Sequence, residues 1–403
     1  MKKQFIILLI VAGILAFFTT CSDTGKYKAL IITGQAEHDW QTSSAILKKL
    51  LDQTGMFHTR ILATPEKGGD MSAFNPAFSK YQLVVLAYNG EPWPENVNTA
   101  FIDYVNNGGG VVVCNESGNA FPDWKEYNQM IGLGGGEGRD QSAGPYVYFR
   151  RNEMVIDTAG RLSAPAVTSQ EFEIRTKITD HPVTAGLPAR WLHGSDMLSG
   201  PLRGPAISLD ILATAWSDPR AQGSGRDEPA LMVIAYGKGK IFHTTLGYPQ
   251  DGGGPALECA GFITTFQRGA EWAVTGNVTQ PVPLDFPSAA AASLRPGFVV
   301  PTLDEVMKNL GNYDIQKSTR YFSLLQSYLR QAGGDEKSLL NYEKMMVKVL
   351  KAPETTVEAK KLLLRELSWM GSDYCVPGIR NLAGNAEIQD EAEFALARLQ
   401  ATN

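Results

Sequence analysis

Residues 83–118 read LVVLAYNGEPWPENVNTAFIDYVNNGGGVVVCNESG, which is two short apolar runs separated by an amphipathic stretch. The runs at 83–88 and 111–114 are almost wholly apolar, which is typical of strands buried on both faces of a parallel sheet. Between them, residues 95–107 repeat apolar side chains at helical spacing and then meet a run of glycines, which ends a helix. The segment therefore predicts a strand, a helix and a second parallel strand of an α/β domain.

The same alternation continues on both sides of this unit. Further apolar runs predict strands, and further amphipathic stretches predict helices. The predicted strands are 29–33, 57–64, 145–149, 171–177, 209–216, 231–236 and 240–245, and the predicted helices are 42–54 and 255–275. Together they predict an α/β domain with a parallel sheet over residues 28–275, in which residues 122–230 are more loosely patterned.

The remainder of the chain has a different composition. Residues 276–301 are rich in proline and alanine, which predicts an extended linker, and the pattern then predicts an all-α domain over residues 302–403. The predicted helices are 302–311, 317–331, 336–351, 355–370, 373–383 and 388–401. Residues 357–382 resemble a HEAT-type helical pair, a unit that stacks on its neighbours and presents a surface. These helices are therefore a candidate surface for a protein partner.

The amino terminus has the pattern of an export signal. Two lysines precede an apolar stretch at 5–18, which is short for a membrane span and suits the core of a signal peptide. Cys21 follows directly, which predicts a lipoprotein signal over residues 1–20, lipid attached to Cys21, and a tether over 21–27. We therefore expect a protein of the bacterial cell envelope, anchored to the membrane by lipid and facing the periplasm or the cell surface; a cleaved secreted form is the alternative.

Composition and motifs exclude several classes of function. The net charge of −5 gives no sign of the excess of basic residues that nucleic-acid binding needs, so no nucleic-acid partner is expected. Cys114, Cys259 and Cys375 are too widely spaced for a zinc ribbon or a redox pair, and each is predicted to be a buried, inert thiol. The glycine-rich stretch 132–138 lacks the lysine and hydroxyl residue of a P-loop, so no nucleotide cofactor is expected.

Polar side chains follow several predicted strands, at the edge where the carboxyl ends of parallel strands meet. Carboxylates, an imidazole, amides and two tryptophans in one cleft are typical of a sugar site, because ring faces stack on indoles and hydroxyls take paired hydrogen bonds. Glu116, His38 and Asp39 are the candidate acid, base or ligand groups. The candidate substrate contacts are Trp40, Asn89, Glu91, Trp93, Asn115, Asn119, Arg139, Asp140, Glu228, His243 and Tyr248.

Several of these residues have a structural interpretation as well. Asp39 is placed to cap the helix that follows it, and His243 lies within a strand, where a core histidine is the alternative. Carboxylates such as Glu91 and Glu116 are also common on protein surfaces. A divalent metal is compatible with this set of residues, but no ligand spacing identifies one.

The motifs together resemble the ThuA-like (trehalose utilisation) family over about residues 28–285. The matching stretches include His38-Asp39, the glycine turn and strand at 107–113, FPDWKEYNQMIG at 121–132, DHPVTAGLP at 180–188 and YGKGKIFHTTLG at 236–247. The resemblance implies a flavodoxin-like sheet of the class I glutamine amidotransferase type. It also implies a role in carbohydrate metabolism, with keto-sugars or glycosides as the substrate class.

Departures from the family pattern leave the chemistry open. Relatives carry histidine where this chain has Asn115 and Tyr248, and they carry Glu-Leu-Tyr where this chain has MLS at 197–199. Three functions therefore stay open: a carbohydrate-active hydrolase, lyase or isomerase; a sugar-binding protein without catalysis; and an assembly protein. Cys114 is not an expected nucleophile, since the glycines of the related amidotransferase elbow are absent around it.

Overall fold

The computed structural model describes residues 25–136, 138–159, 169–205, 208–250, 254–316 and 319–402. The predicted signal peptide and the predicted lipid site at Cys21 lie outside these residues. Within the described ranges, no helix combines the length and the apolar character needed to cross a membrane.

One mixed sheet forms the centre of the α/β region. Its strands are β1 (Tyr27–Gly34), β2 (Phe57–Ala63), β3 (Leu83–Tyr88), β4 (Gly110–Cys114), β5 (Tyr146–Arg150), β6 (Glu153–Asp157), β7 (Gln170–Thr176), β8 (Arg190–Asp196), β9 (Leu209–Trp216), β10 (Asp227–Tyr236) and β11 (Gly239–Thr244). They pair in the order β2-β1-β3-β4-β11-β10-β9-β7-β8, and β5 joins β10 to β6. The strands from β2 to β11 are parallel and those from β10 to β8 are antiparallel. The predicted fold class is confirmed, and its parallel part is one half of the sheet.

Helices cover both faces of the parallel half. They are α1 (Trp40–Asp52), α2 (Glu95–Asn106), α3 (Lys125–Ile131) and α5 (Ala260–Thr275), and the short helix α4 (Gly254–Glu258), which precedes α5, lies against β8. Neighbouring strands align in register to form the rows Ile31, Val85, Val112 and Phe242 on the face of α1 and α5, and Ile32, Leu86 and Val113 on the face of α2 and α3. Both rows are buried, which explains why these strands are apolar throughout their length.

The structure differs from the sequence-based prediction at several elements: β6, β8 and α3 were not predicted, and one predicted helix is divided. β8, with the sequence RWLHGSD, has no apolar run and buries the polar side chains of His193 and Asp196, so its local pattern does not indicate a strand. The helix predicted over 255–275 is two helices, α4 and α5. Cys259 separates them because its extended backbone forms a bridge with Leu294.

The carboxyl-terminal region is all helical. The helices are α6 (Leu303–Leu310), α7 (Arg320–Gln331), α8 (Glu336–Lys351), α9 (Val357–Met370), α10 (Val376–Arg380) and α11 (Gln389–Thr402). α6 begins with a capping box, in which Thr302 and Glu305 each bond the other's backbone N–H. The buried faces of these helices form an apolar core of their own.

The segment predicted as an extended linker is irregular and lies against the α/β region. Asp285 and Arg295 form a buried, bidentate ion pair with nitrogen–oxygen distances of 2.6 Å. The Phe286 ring packs edge-on against Trp191 of β8. The ion pair braces the segment internally, whereas the ring packing and the backbone hydrogen bonds Leu192 N–H to Ser288 O and Ala260 N–H to Ser293 O hold it to the α/β region.

Candidate functional site

Three of the predicted site residues come together at the carboxyl edge of the parallel strands. His38 follows β1, Glu116 follows β4 and Tyr248 follows β11. The His38 Nε2 and Glu116 Oε2 atoms lie 2.7 Å apart, an ion-pair distance, although the N–H direction is not that of a well-aligned hydrogen bond. The Tyr248 ring meets the His38 ring edge-on, with centroids 5.9 Å apart. We call His38, Glu116 and Tyr248 the edge cluster.

The electrostatics of the edge cluster keep the phenol neutral, so that it can donate a hydrogen bond. Burial and the neighbouring Glu116 carboxylate raise the pKa of Tyr248, so its hydroxyl stays protonated at neutral pH. The side chains of His38 and Glu116 are only 10% and 14% exposed, so solvent screens their attraction weakly. The His38 Nδ1 atom is buried and has no hydrogen-bond partner among the described residues. A buried nitrogen of this kind is normally satisfied by water or a ligand.

The local backbone holds the edge cluster in place. Asn115 has a positive φ of 32°, and its side chain donates to the Thr245 carbonyl oxygen at 2.6 Å, which ties the turn before Glu116 to β11. Asp39 caps α1, since its Oδ1 accepts from the Thr42 backbone N–H at 3.0 Å. Hydrogen bonds from the Thr42 side chain and backbone lower the pKa of Asp39. Asp39 therefore has the capping role that its sequence position allowed.

A narrow cavity lies beside the edge cluster. His38, Asn115 and Glu116 contribute polar atoms to its wall, and Leu47 and Phe262 are among its apolar lining. The cavity has about 20 Å³ of free volume, which is room for about one water molecule.

A second acidic group lies along the same edge. β10 runs antiparallel to β11, with Leu231 opposite Thr244, so the start of β10 extends past the carboxyl end of β11. Glu228 is buried there, and its Oε1 accepts from Ser224 Oγ at 2.6 Å and from the Tyr146 hydroxyl. Burial raises the pKa of Glu228. Its Oε2 is buried and has no hydrogen-bond partner within the described part of the chain.

Five residues expected to contact substrate are buried: Asn115 and Glu228, described above, and Trp93, Arg139 and His243. Trp93 is 4% exposed and packs among other aromatic rings. Arg139 donates to backbone carbonyls of the neighbouring loops and to an asparagine side chain, so it braces those loops. His243 is fully buried, and its Nδ1 contacts the Ile131 carbonyl oxygen at 2.9 Å. The sequence does not show on which face of β11 the His243 side chain lies. The structure places it on the face that α3 covers.

The other predicted contacts lie on loops along the edge. Glu91 Oε2 accepts from the Gly68 N–H at 2.9 Å, and Asp140 Oδ1 accepts from the Ser142 N–H at 2.8 Å, so both carboxylates stabilise turns. Trp40, Asn89, Glu91 and Asn119 are partly exposed, and Asp140 is exposed. Their side chains remain accessible to a ligand on this edge.

The sequence did not single out Asp196, which the structure ties to the edge cluster. Its carboxylate accepts from the Gly247 and Tyr248 backbone N–H groups at 2.7 and 3.0 Å. It therefore supports the turn that carries the Tyr248 phenol. Within the ranges that the structure describes, no three histidine, cysteine or carboxylate side chains are grouped to hold a metal ion.

Comparison with known proteins was informative for the α/β region. The family model for trehalose utilisation (ThuA) matches residues 28–273, more than half of the chain. A solved ThuA-like protein from Parabacteroides merdae ATCC 43184 is 44% identical, with a TM-score of 0.66 and coverage of 68% of this chain and 99% of that one. A ThuA-like protein from Bacteroides uniformis ATCC 8492 is 17% identical, with a TM-score of 0.42 and coverage of 64% and 94%. Comparison with curated proteins gave no match.

Proposed function

The chain belongs to the ThuA (trehalose utilisation) family, and we propose that its α/β region binds a small carbohydrate at the carboxyl edge of the sheet and acts on it there. The observation that carries the proposal is the edge cluster, in which an imidazole and a carboxylate in contact lie beside a neutral phenol. Membership of the family supports a carbohydrate as the ligand, and the edge cluster supports acid–base chemistry on it.

A polyhydroxylated ligand suits the polar groups of this edge. A sugar hydroxyl both donates and accepts, so it can satisfy a buried acceptor such as Glu228 Oε2 and a buried nitrogen such as His38 Nδ1. Left without a partner, a buried polar group costs about 1–3 kcal/mol. The partly exposed rings of Trp40 and Tyr248 offer faces on which the apolar side of a sugar ring can stack.

The chemistry that fits the edge cluster best is proton transfer on an oxidised (keto) sugar. Glu116, supported by His38, takes a proton from the carbon next to the carbonyl. Tyr248 donates a hydrogen bond to the carbonyl oxygen as negative charge develops there. Return of the proton to the former carbonyl carbon, with transfer of the adjacent hydroxyl proton to the former carbonyl oxygen, gives an isomerisation. Departure of a leaving group from the β carbon with its bonding electrons gives an elimination. Hydrolysis of a glycoside is the alternative use of the same acid and base.

A thermal-shift screen of sugars and keto-sugars on the full chain tests binding first. A ligand at 100 times its Kd stabilises the folded state by about 2.7 kcal/mol, which such a screen detects. Glu116→Gln is expected to abolish turnover and to weaken binding at least tenfold, whereas Glu66→Gln, an exposed glutamate, serves as the matched control and keeps both. Binding without any product supports the sugar-binding alternative. Turnover by Glu116→Gln at the wild-type rate contradicts the proposed role of Glu116.

We also propose that the carboxyl-terminal helices dock a protein partner. Trp369 on α9 is 70% exposed and Phe394 on α11 is 52% exposed, and the Arg398 guanidinium lies 3.3 Å from the centre of the Trp369 ring. Exposed aromatic and arginine side chains are the residues that interfaces use most. Trp369→Glu is expected to release a co-purified partner, and Leu340→Glu, on α8, is expected to keep it. Equal loss in both variants contradicts a role for this patch.

Export as a lipoprotein anchored through Cys21 is proposed from the leader pattern alone. Metabolic labelling with palmitate in a bacterial host is expected to label the full chain and not the Cys21→Ser variant. Equal labelling of the two proteins contradicts attachment at Cys21.

A further inference from the structure

His193, Asp196 and Cys259 form a group of ionisable side chains that the proposed chemistry does not use. All three residues are fully buried. His193 Nε2 lies 2.8 Å from Asp196 Oδ2, and since a carboxylate only accepts, the imidazole donates. The Gly194 backbone N–H donates to Cys259 Sγ at 3.4 Å, which places the thiol next to His193 at the start of α5.

Asp196 accepts hydrogen bonds from four N–H groups. Besides His193, its oxygens accept from the backbone N–H groups of Met197, Gly247 and Tyr248, at 2.7, 2.7 and 3.0 Å. A buried carboxylate is tolerated only with this degree of pairing, because an unpaired charge in the interior is strongly unfavourable. Each bond is also a charge-assisted one, and so stronger than a bond between neutral groups.

The imidazole next to Asp196 is charged at neutral pH. Burial alone lowers the pKa of His193, but the Cys259 thiol and the Asp196 carboxylate raise it to about 10. Burial works to raise the pKa of Cys259, and the neighbouring His193 lowers it below its ordinary value. The Cys259 side chain is fully buried, so it does not meet substrate.

The turn that Asp196 binds leads directly to the edge cluster. Gly247 has a φ of 83°, and a Cβ there would lie 2.5 Å from the Phe262 ring, so the turn is fixed on one side by packing. Asp196 fixes its other side through two consecutive N–H groups. The Tyr248 side chain leaves this turn and reaches the His38 ring.

We propose that Asp196 and His193 are positioning residues, which pin the 247–248 turn so that the Tyr248 phenol stays against Glu116 and His38. The importance of this positioning for catalysis rests on the proposed function, but the link from Asp196 to Tyr248 is tested without any substrate. Asp196 and Tyr248 are 52 positions apart in the chain, so the link is made by the fold alone.

The test uses 3-fluorotyrosine placed at position 248 of the full chain and fluorine NMR of the folded protein. Glu116→Gln is expected to move the resonance, because it removes the charge beside the phenol. Asp196→Asn keeps the size of the side chain and removes its charge, and is expected to move the resonance towards its position in the urea-unfolded chain. Asp285→Asn is the matched control, since it perturbs another buried, ion-paired carboxylate away from this turn, and is expected to leave the resonance in place.

Three results overturn the proposal: no movement in Glu116→Gln, no movement in Asp196→Asn, or equal movement in Asp285→Asn. If Asp196→Asn fails to fold, the pair His193→Gln and His193→Phe makes the same comparison. Glutamine keeps a donor near Nε2 and is expected to preserve the resonance, and phenylalanine is expected to move it; identical spectra for the two also overturn the proposal. A positive result together with no sugar binding rejects the proposed function and leaves the positioning link standing.

Discussion

Replacing His243 with asparagine is expected to change how the α/β region responds to acid. His243 is fully buried under α3, and its Nδ1 contacts the Ile131 carbonyl oxygen at 2.9 Å. Asparagine places its amide nitrogen near the position of Nδ1, so the bond to Ile131 can persist while the titrating ring is removed. The substitution therefore separates the packing of this side chain from its ionisation.

The magnitude follows from the pKa of the buried ring. Burial lowers the pKa of His243 to about 4 from an ordinary value of 6.5. Between these two values the unfolded chain binds a proton that the folded chain does not, so stability is complete above pH 6.5 and falls as the pH falls towards 4. For one such group the free energy of unfolding drops by about 2 kcal/mol at pH 5 and about 3 kcal/mol at pH 4.

Urea unfolding followed by tryptophan fluorescence measures this change, because six of the seven tryptophans lie within residues 28–275. Near pH 7.5, His243→Asn is expected to be less stable than wild type by about 1–3 kcal/mol, because it leaves a cavity. Its deficit is expected to shrink by about 2 kcal/mol on going to pH 5. Val113→Ala, at the position paired with His243 on β4, is the control, and its deficit stays constant with pH. A His243→Asn deficit that is equal at both pH values refutes the reasoning.

Three further outcomes are expected from other positions. Asp285→Ala leaves the buried Arg295 charge without its bidentate partner, and is expected to lower the free energy of unfolding in urea by about 3–5 kcal/mol. Gly261→Ala places a Cβ 2.2 Å from the Trp191 ring, and the overpacking is expected to cost about 1–3 kcal/mol in the same assay. Burial raises the pKa of the Cys114 thiol, so we expect iodoacetamide near pH 8 to leave Cys114 unmodified in the folded protein and to modify it in urea, as read by mass spectrometry.

Each of these outcomes has a control and a contrary result. Adding Arg295→Met to Asp285→Ala removes both charges and is expected to recover part of the loss; no recovery argues against an unpaired charge as the cause. Gly384→Ala adds a Cβ with no heavy atom within 4 Å, and equal losses at the two glycines contradict the packing argument. Modification of Cys114 in the native protein at the rate of a small thiol contradicts its protection by burial.

The local pattern of the sequence was sufficient for the main elements of the fold. The apolar runs at 83–88 and 111–114 form β3 and β4. A strand that is covered on both faces buries every side chain, so its sequence is apolar throughout. The amphipathic spacing and end signals of the carboxyl-terminal region likewise predicted its helices. The polar sequence of β8, RWLHGSD, carries no apolar run and so gives no local indication of a strand.

The candidate site was predictable only in part. His38, Glu116 and Tyr248 could be assigned to one edge because parallel strands end together there. Trp93 and His243 were assigned to the same edge and lie in the interior, because proximity along the chain to a strand end does not tell which face a side chain takes.

The sequence by itself therefore determined the α/β class, the family, the helical character of the carboxyl-terminal region and the loops that meet at one edge. The tertiary structure alone decided that half of the sheet is antiparallel, that Glu228 is a buried acid, and that Asp196 reaches Tyr248 across 52 positions. The physical reason is that hydrophobic periodicity is a local property, which any short stretch displays. Strand order, register and the burial of single polar groups depend on residues far apart in the chain, and they arise only when the whole core is packed.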